Sequence, residues 1–153
     1  MHYLPVTATD VLDVEQDPDR AAHLLTDGDV VDLGKAWHGL HFLLCGSAFG
    51  GCAPLFDAVL GGTPLGDPTS YEPVRLVTAE QVAAVAASLP AAADLVPRFT
   101  HRALRQAEIY PDEAWSHEDA LTAFLLPAYD VLVGVFGKAA AAGNAVLITL
   151  DRG

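Results

Sequence analysis

His38, His41 and Cys45 are the residues in this chain best suited to hold a metal ion. On a helix they share one stripe about 60° wide, because spacings of three and four residues bring side chains onto the same face. Imidazole and thiolate are both zinc ligands. A site needs at least three well-aimed ligands, however, and none of the usual zinc spacings surrounds these residues. The plainer reading is a helix whose polar stripe packs its histidines against backbone or carboxylate. No metal and no cofactor is expected. Trp37, Leu40, Leu43 and Leu44 fall on a separate arc, the expected core face.

Other reactive residue types fail on position. Gly46-Ser47-Ala48-Phe49-Gly50 sets its serine one place too early for a nucleophile elbow, and no strand precedes it. The glycine pairs Gly50-Gly51 and Gly61-Gly62 match no phosphate loop. Cys45 and Cys52 flank a glycine-rich turn, and the spacing leaves their pairing open. Arg98, Arg102 and Arg105 would line one face if residues 98–107 are helical. Glu108, Asp112 and Glu113 gather around Tyr110 and Trp115. Such carboxylates do acid–base work only when one is desolvated, and exposed loop acids are far commoner. No catalytic residue is assigned.

The elements that must position these groups are readable in part. His2 to Thr7 reads as a first strand. Asp17-Pro18 opens a helix, with Asp as its cap and Pro in the first position. Gly34 to Cys45 reads as a second helix, stopped by Gly46. Turns should follow as far as Glu72, around the apolar piece Leu55 to Leu60. Val74 to Val77 reads as a strand. Thr78-Ala79-Glu80-Gln81 is a capping box, and Pro90 ends the helix it starts. A long helix from about Ser116 to Ala142, stopped by Gly143-Asn144, precedes an interior strand, Ala145 to Leu150. The class is therefore α+β: a small mixed sheet from both chain ends and the middle, packed by about five helices.

The 153 residues suffice for one domain with its own core. Twenty acids against eight bases give a net charge of −12, which excludes the usual basic nucleic-acid module. The charge is uneven: residues 1–34 hold eight acids and a single base, Arg20. Asp13, Asp17, Asp19 and Asp29 are its candidate docking surface for a basic protein partner. Residues 1–10 lack a signal-peptide pattern. Asp130 and Lys138 interrupt the apolar stretch 120–142, so a cytoplasmic protein with no membrane role is expected.

Four segments bear a family resemblance. Asp32-Leu33-Gly34-Lys35-Ala36-Trp37-His38-Gly39-Leu40-His41-Phe42-Leu43-Leu44-Cys45-Gly46 resembles the L-D-K-x-W-x-x-L-H-F-L-L-T-G stretch of YfbM-like proteins. Tyr71-Glu72-Pro73-Val74-Arg75 with Thr78 to Val82 is similar to their Y-G-P-A-R-x-(V/L)-(T/S)-x-E-Q-V. Ile109-Tyr110-Pro111 with Trp115 resembles their I-Y-P…W turn, and Tyr129 to Leu150 resembles their C-terminal pattern. Cys45 replaces a usual threonine and Gly34 a usual acid. The resemblance implies a bacterial protein with one YfbM-like α+β domain over residues 1–153. It implies no established activity, substrate or cofactor.

Two functional readings follow. The preferred one is a non-enzymatic acidic binding module, inhibitor- or immunity-like in charge and size. The alternative is a small-ligand-binding protein or weak enzyme with a pocket lined by His38, His41, Tyr110 and Trp115. A monomer is favoured over a homodimer, because a central long helix would bury Leu126 and Val133 on its far side.

Overall fold

The computed structural model describes residues 1–67 and 73–150. Tyr71 and Glu72, named above, lie outside the described residues. β1 (His2–Val6) forms as expected, and Thr7 then caps a helix. The Thr7 hydroxyl accepts from the Asp10 amide at 3.2 Å, while the Asp10 carboxylate accepts from the Thr7 amide at 3.1 Å. That reciprocal pair starts α1 (Ala8–Gln16), an element not among those expected. Only Val14 of α1 is buried, so the helix leaves little apolar period to read. In α2 (Asp19–Asp27) Pro18 takes the cap position rather than the first helical one, and the Asp17 carboxylate, one residue before it, accepts from the Asp19 amide at 3.2 Å. A 3₁₀ turn at Gly34–Ala36 leads into α3 (Trp37–Cys45), which Gly46 stops at φ 72°.

The strands make one five-stranded sheet in the order β2-β1-β5-β4-β3, with β2 at Val31–Asp32, β3 at Thr63–Pro64, β4 at Arg75–Val77 and β5 at Ala145–Thr149. The α+β class holds. The sheet is antiparallel at every pairing rather than mixed. β5 is interior, as its apolar run requires, with Leu147 opposite both Leu4 and Leu76.

Seven α-helices occur among the described residues, against about five expected. The Thr78 capping box starts α4 (Ala79–Ser88) as read. The helix expected at 98–107 is instead α5 (Ala92–Leu95), a 3₁₀ turn at Val96–Arg98 and α6 (His101–Gln106). Thr100 causes the break, its hydroxyl accepting from the Ala103 amide at 3.1 Å. Arg98 thus leaves the Arg102 and Arg105 helix and donates to the Leu43 carbonyl at 3.2 Å. Ser116 caps nothing either; its hydroxyl donates back to the Glu113 carbonyl at 2.8 Å. The long helix begins with a wide π-type segment, Ala120–Leu125, before α7 (Leu126–Ala142). Pro127 has no N–H to give and its ring crowds the carbonyl four residues back, which a wider turn relieves.

Both faces of the sheet are covered. Leu4, Val6, Leu76, Ala145 and Leu147 pack under α1 and α2 with Val14 and Ala21. Tyr3, Val77, Val146 and Ile148 join the larger core with α3, α4 and α7. The segment Ala120–Ala142 is long and apolar enough to cross a bilayer, with mean hydropathy 1.7. Its Leu125, Tyr129, Leu132, Phe136 and Ala139 are nevertheless buried in that core. The far side is covered only in part, with Leu126 half-buried and Val133 exposed, which corrects the central-helix expectation. Val133 is 40% exposed, and a Cβ added at Gly134 or Gly137 would meet nothing within 4 Å. One helix can present only one stripe to a single sheet.

Leu147→Ala removes a fully buried side chain at the centre of the sheet. It should cost about 2–5 kcal/mol in urea unfolding. Leu12→Ala, at a 58% exposed position, should stay within about 0.5 kcal/mol.

Candidate functional site

His38 and His41 are buried, not surface-lining, and each ring is a strut to the loop after α3. His38 Nε2 lies 2.8 Å from the Ala48 carbonyl, and its Nδ1 accepts from the Tyr110 amide at 2.9 Å. A carbonyl can only accept and an amide can only donate, so the ring is neutral with its proton on Nε2. His41 Nε2 donates to the Gly50 carbonyl at 2.9 Å. Its Nδ1 is buried with no hydrogen-bond partner among the described residues. The polar stripe of α3 therefore packs against backbone, the plainer of the two sequence readings. Among the described residues no group of three or more His, Cys, Asp or Glu is placed to hold a metal. Cys45 and Cys52 are free thiols, and burial raises the Cys45 thiol above its ordinary range.

The four residues read as a ligand pocket are brought together only in part. Trp37 stacks on His38 at 5.0 Å between centroids, with Phe49 at 4.7 Å from the same imidazole. Tyr110 is 44% exposed and reaches Trp37 at 6.0 Å. Trp115 belongs to the core: it is fully buried, and its Nε1 donates to the Ile109 carbonyl at 2.6 Å. Gly39 exists for that ring, since a Cβ there would come within 2.8 Å of Trp115 and 2.7 Å of Leu125. A hollow of about 270 Å³ nearby is lined instead by Lys35, Glu113, His117, Asp119 and Phe124.

The acidic segment builds a different site. A groove of about 520 Å³ is lined by Leu4, Val6 and Leu24 and by the acids Asp10, Asp27 and Asp29, with no cation along it among the described residues. Gly28 lets α2 approach β1 here; a Cβ would sit 2.8 Å from both the Leu24 carbonyl and a Leu4 methyl. Of the four acids read as a docking surface, Asp29 lines this groove, while Asp13 is on α1, Asp17 accepts from the Asp19 amide just before α2 and Asp19 begins that helix. All four are exposed. Asp10 and Asp27 were signalled only by the acid content of the segment, and the apolar groove residues by nothing local.

Burial holds both imidazoles below the ordinary histidine range; for His38 the Tyr110 amide, which needs a bare Nδ1, opposes protonation too. The unfolded chain takes up these protons near pH 6.5, and the folded chain only at lower pH. Stability from this source is complete above the unfolded value and falls as pH drops through it toward the folded values. Urea midpoints should decline from pH 7.5 to pH 5.5, and less steeply in His38→Gln/His41→Gln. Equal slopes in the two proteins would sink this assignment.

The comparisons agree with the fold. YfbM from Escherichia coli, a protein of unknown function, has a crystal structure similar to this one, with a TM-score of 0.72 at 24% identity. The match covers 97% of this chain and 98% of that one. No curated protein sequence is significantly similar. The profile described as "Domain of unknown function (DUF1877)" matches residues 1–149, so the chain belongs to the DUF1877 family.

Proposed function

We propose that the protein is a non-enzymatic binding module that takes a basic segment of a partner protein on its acidic N-terminal face. The groove between β1 and α2 carries this reading: an apolar floor bordered by Asp10, Asp27 and Asp29 suits a Lys or Arg side chain. The aliphatic stem would lie on Leu4 and Leu24 and the cation would meet the carboxylates. The surrounding charge would steer such a partner in. An inhibitor- or immunity-like role is the form of this reading that fits a small, strongly acidic chain. A cytoplasmic setting belongs to the same reading, and free thiols at Cys45 and Cys52 are in keeping with it.

The placement of two of the acids supports a role outside folding. Asp27 ends α2 and Asp29 follows it, where the helix dipole disfavours negative charge, and the last turn of α2 contains no basic residue. Asp27→Lys/Asp29→Lys should therefore leave stability unchanged or raise it by about 0.3–1 kcal/mol. The same variant, extended with Asp13→Lys and Asp19→Lys, should lose capture of basic proteins from a lysate of the source organism. Capture of the same proteins by the folded variant, or retention of none by the parent, would overturn the proposal.

A further inference from the structure

The outward face of α7 is apolar, open and self-complementary in charge. Gly134 is at its centre, and Asp130, Val131, Gly137 and Lys138 all fall within about 60° of it on the helix. All four are exposed, Val131 by 40%. Counting outward from Gly134, Asp130 and Lys138 stand four residues away on either side, and Val131 and Gly137 three. Asp130 and Lys138 are about 12 Å apart along the axis, too far to pair within the helix. Neither makes an ion pair or a side-chain hydrogen bond among the described residues.

We infer that this face binds a second copy of the chain, with two α7 helices crossing antiparallel on a two-fold axis at Gly134. A two-fold interface requires that residue i meet j while j meets i, and this spacing provides it. Asp130 of each chain meets Lys138 of the other, and Val131 enters the space left by Gly137. Gly134 permits the close approach of backbones, since a Cβ there has open space before it. The charge balance selects this occupant. A chain of net charge −12 repels its copies, yet on this face one acid and one base cancel. One helix face is at the small end of stable interfaces, which begin near about 1,200 Å² of total buried area. The dimer should thus be reversible, forming at micromolar to tens of micromolar concentrations.

Sedimentation velocity of the full chain from about 5 to 200 µM tests it. The parent should show a concentration-dependent monomer–dimer equilibrium. Asp130→Lys alone, which leaves two like-charged meetings per dimer, should weaken association by about tenfold or more. Asp130→Lys/Lys138→Asp restores both pairs on a two-fold axis and should recover affinity to within about threefold. Gly134→Leu should also dissociate the dimer while circular dichroism remains that of the parent and the variant melts no lower than the parent monomer, since leucine is the better helix former. A parent that stays monomeric at about 200 µM, or a double variant no tighter than Asp130→Lys, would overturn the inference. Flotation of the parent with phosphatidylcholine vesicles, abolished by Gly134→Lys, would overturn it too by assigning the face to a bilayer.

Discussion

β5 separates β1 from β4, and neither of those strands has the other as a pairing partner. Its residues alternate between two cores: Ala145 and Leu147 toward α1 and α2, Val146 and Ile148 toward the large helical layer. All four are at most 2% exposed, so each side chain of the central strand is committed to one layer. A polar residue here would lose its hydration on whichever side it pointed. The division also sets where surfaces can be. α1 and α2 carry the acidic groove on one side of the sheet, and α7 presents its open face from the other.

The residues with the most chemical promise hold the chain in shape. His38 joins three segments through one ring, taking a proton donor from Tyr110 and giving one to Ala48. His41 gives its single donor to Gly50. Arg75 plays the same part on β4: its guanidinium donates to the carbonyls of Gly61 and Val59, beside Met1. Burial lowers its pKa, but carbonyl dipoles replace the lost water. In each case a side chain with several donors or acceptors satisfies loop carbonyls that have no strand to pair with, as buried backbone requires.

Legibility followed the range of the interaction. Thr78 with Gln81, Asp17 with Asp19, and the stops at Gly46 and Gly143 are contacts between near neighbours, and all were readable. β5 was readable because its apolar run has no polar break until Thr149. The two-residue strands β2 and β3 are too short to have a period, and only their pairing partners define them. Thr100 hid a cap inside an apparent arginine stripe. The wheel of α3 placed His38 and His41 on one stripe correctly but could not show the loop at Ala48 and Gly50 folding back over it. Trp115 read as a pocket aromatic because it shares a bend with Tyr110 and the acids Glu108, Asp112 and Glu113; its neighbour in space is Gly39.

The register of His2 opposite Thr149 joins positions nearly a chain length apart. During synthesis β1 emerges about 140 residues before β5, the strand it needs. At about 5–20 residues per second the wait is several seconds to half a minute. Throughout it the apolar undersides of β1, α1 and α2, with Leu4, Val6, Val14 and Ala21, have no sheet to cover. A segment in that condition invites association with its neighbours on the same message. The eight acids among residues 1–34 give every such nascent segment the same sign of charge. Like charge on neighbouring unfinished chains opposes their association until β5 pairs with β1.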